Sequence, residues 1–312
     1  MKSGFATFTR YLAKGAQKSI SIVSRPFPAH RIPIVAYHCV GVSNSVLSVS
    51  PETFRKQLAW LKHSGYRTLC LSEYLRRDGI KPHPARTEPV RAQKDSKEFL
   101  ITFDDGFQEL YTYAFPILKE FSFTAVVFVP TDYIGQPAGW IQRDMADISI
   151  RLLRQLRLTN RQVQHQMHQL VCLSNHRLLS WSEISEMNEY GIDFQSHSCS
   201  HTFFSKLDQQ QISRELKDSK ATLESRLQNN VQSFAYPYGD YDHSYLRTAL
   251  RETKYAMAFC DSWSPSRDRV GDMYEVNRIP IGNETIGSYL ELCFSAGFHW
   301  YRSIASFAKR FI

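Results

Sequence analysis

The sequence has few cysteines, and none of them forms a short paired motif. Six cysteines are scattered along 312 residues without a Cys-x-x-Cys pair. A dense and regularly spaced set would indicate a small protein held together by disulfides. The scattered set instead predicts reduced thiols.

Long apolar runs are also missing. No segment approaches the roughly 20 consecutive apolar residues that a membrane-spanning helix needs. The first residues lack the continuous apolar core of a secretory signal. We therefore expect a cytoplasmic protein.

Acidic residues are absent from both ends of the chain. Residues 1–30 contain five basic residues and no acid, and residues 292–312 contain three basic residues and no acid. These residues account for the whole formal charge of +8, so the middle of the chain is neutral. Nucleic-acid binding is the weaker interpretation, because no recognition motif accompanies the basic residues.

Both basic ends are amphipathic. In residues 1–30 and in residues 291–312, apolar side chains recur at helical spacing, beginning at Phe5 and at Phe294. Aromatic faces beside lysine and arginine suit a helix that lies on an anionic membrane surface. This pattern predicts peripheral attachment to the inner face of the cytoplasmic membrane. The alternative is that both helices pack on the rest of the chain.

Between these ends, strand-like and helix-like segments alternate. The hydrophobic content of 43% is enough for one large α/β domain or two modest ones. The strand-like segments are Ile32–His38, Phe99–Phe103, Thr124–Pro130 and Ser233–Tyr236. Their alternation with segments of helical spacing, such as Phe107–Phe121, predicts an α/β fold resembling a barrel.

Two stretches interrupt this alternation. Residues 78–97 contain prolines and many charges, which predicts a mobile loop that could cover a site. Residues 131–180 form an insertion with a Gln/Arg-rich helix that could shape a substrate groove. Trp140 in this insertion could stack on a sugar or fill the core, and the sequence leaves both alternatives open.

Two adjacent carboxylates, Asp104 and Asp105, follow the strand Phe99–Phe103 and precede Gly106. Active sites of barrels and open α/β sheets lie at the carboxyl ends of parallel strands. Adjacent side chains cannot both point the same way, which suits a division of roles between the two acids. The alternative is a solvated turn, for which Asp-Asp-Gly is also well suited.

A pair of histidines, His197 and His201, follows a short strand in a serine-rich segment. Histidines four residues apart lie on one face of a helical turn, so both imidazoles can reach one metal ion. With one aspartate they would form a site with open coordination positions that activates water. Zinc is the default metal, and cobalt, nickel, iron and manganese are alternatives. We expect Cys199 to pack rather than to bind metal, and we expect His165 and His168 to be solvated.

Three segments together resemble the successive motifs of the polysaccharide deacetylases, the NodB-homology family, also known as carbohydrate esterase family 4. These segments are Thr102–Gly106, His197–His201 and Phe234–Gly239. They occur in the family's order, and the resemblance extends from Ile32 to Ile286.

The resemblance implies an irregular (β/α) barrel of the NodB-homology type, with amphipathic terminal helices. Residues 31–290 would form the deacetylase domain, between the basic segments 1–30 and 291–312. The implied activity is a metal-dependent hydrolysis that removes N-acetyl groups from an amino-sugar-containing polysaccharide, oligosaccharide or lipid-linked sugar.

The resemblance also implies a role for each motif residue. Asp105, His197 and His201 would hold the divalent metal, and Asp104 would be the general base. Tyr238 would offer its backbone N–H to the oxyanion. Pro237, Tyr238 and Trp263 would contact the substrate.

The segment Tyr37–Val40 is similar to a Tyr-His-x-Val segment in the exopolysaccharide-modifying branch of the family. In that branch the histidine supplies the general acid that other members take from a C-terminal Leu-x-His motif. The present sequence lacks the C-terminal motif. The resemblance therefore assigns the general acid to His38, whose imidazole suits proton delivery to an amine.

One family feature is missing. Many members have an arginine before Pro-Tyr-Gly that orients the base, whereas this sequence has Ala235 and Tyr236. Arg278 could supply a compensating charge, and Asp261–Trp263 could stand for the family's later Asp and Trp motif. Structural roles are the alternative for both.

The missing arginine leaves a second class of function open, a non-catalytic carbohydrate-binding or scaffold protein. A complete set of base, acid and metal ligands favours catalysis, because a binding protein needs no such set. Within catalysis, deformylation of a lipid-linked amino sugar and deacetylation of a non-sugar amide are further alternatives. The expected partners are an N-acetylated sugar polymer or lipid-linked sugar and an anionic membrane surface, without nucleic acid.

Overall fold

The computed structural model describes residues 32–42, 45, 47–77, 97–155, 159–241, 244–260 and 272–295. The expectations for the basic segment 1–30, for loop residues 78–96, for Trp263 and for residues 296–312 lie outside this part of the chain. Lys97, the last residue of the predicted loop, already belongs to a strand.

The described residues contain eleven short strands. In chain order they are β1 Ile34–Tyr37, β2 Cys39–Val40, β3 Ser48–Val49, β4 Tyr66–Thr68, β5 Lys97–Phe103, β6 Val126–Val129, β7 Asp193–Ser196, β8 Ser233–Ala235, β9 Met257–Cys260, β10 Val276–Asn277 and β11 Ile279–Pro280. Eight of them form a parallel sheet in the order β10-β9-β8-β7-β6-β5-β1-β11. Strand β4 pairs with β5, and β2 pairs with β3 separately.

The sheet closes almost completely into a barrel. Strands β10 and β11 lie at its two opposite edges, yet only Arg278 separates them in the sequence. The chain therefore crosses from one edge of the sheet to the other at this residue. We call residues 277–279 the seam of the barrel. The predicted (β/α) barrel is confirmed.

Helices surround the barrel and connect its strands. They are α1 Pro51–His63, α2 Leu71–Arg77, α3 Phe115–Phe121, α4 Trp140–Arg143, α5 Met145–Gln155, α6 Asn160–Ser174, α7 Trp181–Tyr190, α8 Gln209–Leu227, α9 Leu246–Glu252 and α10 Ser288–Cys293. Local sequence explains several of their starts. Ser50 accepts a hydrogen bond from the N–H of Thr53 at the start of α1. Capping boxes begin α6, α7 and α8.

The segment Phe107–Phe121 is not one regular helix. A π-helical turn at Leu110–Ala114 precedes α3, which begins at Phe115 with Pro116 in its first turn. Proline lacks the N–H that a helix interior uses, so Pro116 predicts a kink or a division of this segment. The structure has a change from π-helical to α-helical hydrogen bonding beside Pro116.

The strand side chains separate into two clusters. One cluster contains Leu100, Phe128 and Phe259 inside the barrel, where they contact one another and side chains of α2. The other cluster contains Ile101 and Val127, which pack on the surrounding helices. This alternation follows from the two-residue period of a strand.

The end of the described chain packs on the barrel. Phe294 is 5% exposed, and its ring centroid lies 4.9 Å from that of Tyr66 and 5.5 Å from that of Phe99. Helix α10 ends at Cys293, and the rest of the predicted amphipathic segment, residues 296–312, lies outside the described part of the chain. Among the described residues no helix is both long and apolar enough to cross a membrane.

Replacing Phe294 tests this packing. We expect Phe294→Ala to lower the free energy of unfolding by about 3–5 kcal/mol, since it removes a buried ring. Ile286→Ala is the control, because Ile286 is 52% exposed and should change stability by less than about 0.5 kcal/mol. Urea denaturation measures both changes. Equal midpoints for the two variants would contradict the packing.

Candidate active site

The two acids leave strand β5 in different directions. Asp104 continues the strand, with its N–H donating to the Tyr37 carbonyl at 2.9 Å. Asp105 adopts a left-handed conformation with φ of 68°. The change of backbone conformation between the two residues separates their side chains, as expected for adjacent acids with different roles.

His197 and His201 lie in a loop after β7, not on a helical turn. The predicted helical turn is wrong because Ser198 and His201 have φ values of 69° and 51°, which are left-handed. The Ser198 hydroxyl accepts from the His201 N–H at 3.0 Å and closes the loop. The loop nevertheless brings both imidazoles close to each other.

Glu215 of helix α8 holds the same loop through hydrogen bonds. The Glu215 carboxylate accepts from the backbone N–H of Cys199 at 2.8 Å and of Ser200 at 3.0 Å. The Ser200 hydroxyl donates to it at 2.7 Å. The Cys199 thiol contacts the Glu215 carbonyl oxygen at 3.6 Å. Cys199 is therefore part of the loop packing, as we expected.

Asp105, His197 and His201 converge in the interior. Oδ1 of Asp105 lies 3.0 Å from Nε2 of His201 and 3.6 Å from Nε2 of His197. One ligand atom from each residue lies within 4.8 Å of the other two, and all three residues are buried. Two imidazole nitrogens and one carboxylate oxygen at these separations fit a divalent metal ion.

Hydrogen bonding fixes which nitrogen of His197 faces this cluster. Its Nδ1 lies 2.8 Å from the Ala235 carbonyl oxygen, which can only accept. Nδ1 therefore carries a proton, and Nε2 is the nitrogen that faces Asp105 and the cluster. A backbone carbonyl on the distal ring nitrogen is a common partner of a metal-binding histidine.

The electrostatics of the cluster favour a charged Asp105. Burial alone would raise the pKa of Asp105, but hydrogen bonds from His197 and His201 hold it far below its usual range. Burial lowers the pKa of His201, which favours the neutral imidazole that metals bind. Burial also opposes charge on His197, yet the two aspartates outweigh it and raise its pKa.

Asp104 forms a buried ion pair with Arg278. The guanidinium donates through Nη1 to Oδ1 at 2.7 Å and through Nη2 to Oδ2 at 2.6 Å. Nη1 also donates to the Thr102 hydroxyl at 3.2 Å, and the rings of Phe128 and Phe259 flank the cation. Burial alone would raise the pKa of Asp104, but Arg278 and His197 lower it. Arg278 therefore supplies the suggested compensating charge, in direct contact with the Asp104 carboxylate.

His38 lies beside this ion pair on the open side of the site. Strands β1 and β5 pair in a register that sets Tyr37 opposite Phe103, so the next residues of both strands emerge together. Nε2 of His38 is 3.9 Å from Oδ2 of Asp104. The His38 side chain is 24% exposed, whereas that of Asp104 is 2% exposed. His38 therefore reaches both the carboxylate and solvent.

The turn Pro237–Gly239 completes the site. Tyr238 has φ of 60°, and its ring stacks on Phe203 at 4.0 Å and meets the edge of His201 at 4.7 Å. Pro237 is buried. Burial raises the pKa of Tyr238, so its hydroxyl stays protonated and donates to Asp144 at 2.9 Å.

Left-handed backbone conformations concentrate at this site. Among the described residues seven non-glycine residues have positive φ, and four of them belong to the site: Asp105, Ser198, His201 and Tyr238. Such conformations persist only where the surrounding contacts hold them. This concentration supports a functional site, since strained residues gather where function requires them.

The insertion contributes contacts that the sequence reasoning missed. Trp140 is 1% exposed, and its ring stacks on His201 at 4.6 Å, so it is a core residue and not a sugar-stacking one. Arg143 donates to the carbonyl oxygens of Ser200 and His201. The sequence offered no signal for these pairs beyond the Trp140 ring itself. His165 and His168 are exposed on α6, as expected.

Comparison with known proteins gives one consistent result. The family model described as polysaccharide deacetylase matches residues 91–258. The Bacillus subtilis (strain 168) protein YxkH, named as a polysaccharide deacetylase, is 27% identical over 267 residues, covering 84% of this chain and 76% of that protein. The poly-beta-1,6-N-acetyl-D-glucosamine N-deacetylase of Staphylococcus epidermidis is 25% identical over 256 residues, covering 78% and 71%.

A solved structure has the same fold. The Streptococcus pyogenes deacetylase PplD, solved in complex with acetate, superposes with a TM-score of 0.61 and is 23% identical. The similarity covers 86% of this chain and 99% of that chain. At this identity the likeness concerns the barrel architecture.

Metal titration tests the three-residue cluster. We expect the wild-type protein to bind one zinc ion and Asp105→Asn to lose this binding, because an amide supplies no charged oxygen ligand. Zinc at 100 times its dissociation constant should stabilise the wild-type protein by about 2.7 kcal/mol. The measurements are metal content after gel filtration and thermal unfolding with and without zinc.

His168→Ala is the control for this titration, because it removes an exposed histidine far from the cluster in sequence. It should bind zinc as the wild type does. Equal zinc content in Asp105→Asn and wild type would contradict the cluster as the metal site.

Proposed function

The chain belongs to the polysaccharide deacetylase family and is a carbohydrate N-deacetylase, and from this premise we propose a metal-dependent hydrolysis. This reaction removes N-acetyl groups from the amino sugars of a polysaccharide. The single observation that carries this proposal is the buried Asp104, paired with Arg278, next to the three-donor cluster. A base that is held charged beside a metal site suits the activation of water.

Asp105, His197 and His201 would hold the metal. Zinc is the default for two histidines and one carboxylate, with cobalt, nickel, iron and manganese as alternatives. Bound there, the metal would polarise the acetyl carbonyl and lower the pKa of a water molecule.

Asp104 takes the proton of the attacking water. Arg278 donates to both of its oxygens, which fixes the carboxylate and leaves further lone pairs for the water. The same contact lowers the pKa of Asp104 against the effect of burial. The base is thus ionised before the substrate arrives.

His38 delivers a proton to the departing amine. Amines leave poorly as anions, so the carbon–nitrogen bond breaks only with protonation of the nitrogen. The position of His38 between the buried carboxylate and solvent supports this role. Its partial exposure also allows it to exchange protons with water after each turnover.

Tyr238 provides its backbone N–H to the tetrahedral oxyanion. Its ring is held between Phe203 and His201, so the turn is fixed before the substrate binds. A donor that is already in place costs no reorganisation during the reaction. Pro237 and Trp263 would contact the sugar, and the role of Trp263 stays a prediction.

A polymer of N-acetylated β-linked glucosamine is the first substrate that we propose. The Staphylococcus epidermidis relative carries the name of an enzyme for such a polymer. A short oligosaccharide or a lipid-linked sugar is the alternative within the same chemistry. The combination of buried base, half-buried histidine and metal-type cluster supports turnover over a non-catalytic sugar-binding role.

Acetate release tests the proposed activity. We expect acetate from β-1,6-linked N-acetylglucosamine oligomers with zinc-loaded protein and none after removal of metal. Asp104→Asn and His38→Ala should each lower kcat by about 10²–10⁴-fold, because each removes a proton-transfer group. Both variants should retain zinc.

His63→Ala is the matched control, since His63 is an exposed histidine at the end of α1. It should release acetate at the wild-type rate. Undiminished turnover in Asp104→Asn would contradict its role as base. Absence of release from polymer, oligomer and lipid-linked acceptors by zinc-loaded wild type would contradict deacetylation.

The pH dependence tests the contact between Arg278 and Asp104. The wild-type activity should persist to acidic pH, because the pKa of Asp104 is lowered. In Arg278→Gln burial would act without this counter-charge and raise the pKa, so the acidic limb of kcat/KM should move to higher pH. Breaking one side of a buried pair should also cost about 3–5 kcal/mol of unfolding free energy.

Arg278→Lys keeps a positive charge and is the companion variant if Arg278→Gln fails to fold. Its acidic limb should move less than that of Arg278→Gln. Arg247→Gln removes a partly exposed arginine that pairs with Asp272 and Glu275 and should leave the profile unchanged. An unshifted acidic limb in both Arg278 variants would contradict the proposed control of Asp104.

A further inference from the structure

We propose that Arg143 and Asp144 form a positioning clamp that fixes the metal ligand His201 and the Tyr238 turn relative to each other. The two residues lie at the end of the short helix α4 in the insertion. They are positioning residues, because they act through His201 and Tyr238. The proposal rests on the proposed function, since His201 is a metal ligand and Tyr238 an oxyanion donor only in that reaction.

Arg143 holds the backbone of the histidine loop. Its Nη1 donates to the Ser200 carbonyl oxygen at 2.9 Å, and its Nη2 donates to the His201 carbonyl oxygen at 2.9 Å. His201 has a left-handed backbone with φ of 51°. A non-glycine residue keeps this conformation only when neighbouring contacts impose it. Arg143 supplies two of these contacts at the residue itself and at the one before it.

Asp144 links Arg143 to the other loop of the site. Its Oδ1 accepts from Arg143 Nε at 2.7 Å and its Oδ2 accepts from Nη2 at 2.8 Å. Oδ2 also accepts from the Tyr238 hydroxyl at 2.9 Å. The Asp144 carboxylate is therefore hydrogen bonded to Arg143, which holds the His201 backbone, and to the hydroxyl of Tyr238, whose ring holds the turn. Asp144 is 7% exposed, so water competes little for these bonds.

His201 needs this support more than His197 does. Nδ1 of His197 donates to a carbonyl, whereas the buried Nδ1 of His201 has no hydrogen-bond partner in another described residue. Metal-binding histidines are commonly oriented through the distal nitrogen. The His201 ring is held instead by Trp140, stacked at 4.6 Å, and by Tyr238, edge-on at 4.7 Å. Its orientation therefore depends on the backbone contacts of Arg143 and on the position of the Tyr238 ring.

The chain offers a closely matched control pair, Arg177 and Glu183. Both Arg143 and Arg177 have side chains that are 41% exposed. Arg177 donates to both oxygens of Glu183 at 2.9 and 3.0 Å and to the Leu178 carbonyl oxygen at 3.0 Å. Neither residue of this pair hydrogen bonds to the histidine loop or to Tyr238 in the described structure.

Metal affinity, measured without substrate, tests the first half of the clamp. Zinc titration should give a dissociation constant 10–100-fold higher for Arg143→Gln than for wild type, the usual loss when a group that orients a ligand is removed. Arg177→Gln should bind zinc as the wild type does. Thermal unfolding of both metal-free variants separates lost affinity from lost stability.

Kinetics at saturating zinc test the second half. Tyr238→Phe removes only the hydroxyl that bonds to Asp144 and keeps the ring against His201. It should lower kcat with KM nearly unchanged and leave zinc affinity at the wild-type value. Asp144→Asn should impair both zinc affinity and kcat, because it weakens both bonds of the carboxylate. This split between the two readouts would not arise from general destabilisation.

The outcomes separate the clamp from the proposed function. Wild-type zinc affinity in Arg143→Gln, or an equal loss in Arg177→Gln, would overturn the clamp even if the enzyme is active. A wild-type protein that binds zinc but releases no acetate would overturn the proposed function, and zinc affinity alone would then decide the clamp. A wild-type protein that binds no metal would overturn both.

Discussion

A buried ion pair between Asp104 and Arg278 connects the closure of the barrel with its chemistry. Arg278 lies in the seam, where the chain crosses from β10 to β11, and its side chain enters the barrel between Phe128 and Phe259. Two charges in such an apolar interior are tolerated only when they are paired and hydrogen bonded. The bidentate contact pairs them and bonds both Asp104 oxygens. The same interaction therefore compensates the arginine of the seam and holds Asp104, the base that we propose, ionised and in place.

The remaining site residues lie on loops that are held from outside. Glu215 of α8 fixes the histidine loop through two backbone N–H groups and a hydroxyl. Arg143 of α4 holds two carbonyl oxygens of the same loop. Contacts of this kind stabilise the left-handed residues of the loop, whose conformations would otherwise cost about 1–3 kcal/mol each.

The insertion has a more central place than its sequence indicated. The sequence predicts that it shapes a substrate groove, with Trp140 as one candidate for a sugar contact. In the structure Trp140 is buried against His201, and Asp144 is bonded to Tyr238. The insertion thus packs directly behind the residues that we propose for metal and oxyanion binding. Substitutions in the insertion would therefore change the reaction rate even where the substituted residue does not contact the sugar.

The sequence by itself determined the barrel and the positions of Asp104, Asp105, His197 and His201, because strand ends and short motifs are local and parallel strands bring their carboxyl ends together. Only the tertiary structure decided the partners. Arg278 is 174 residues from Asp104, and Arg143 is 58 residues from His201, distances over which no periodicity identifies a pair. The tertiary structure also differs from the predicted helical turn at His197–His201. Contacts from Glu215 and Arg143 hold this segment as a loop with left-handed residues.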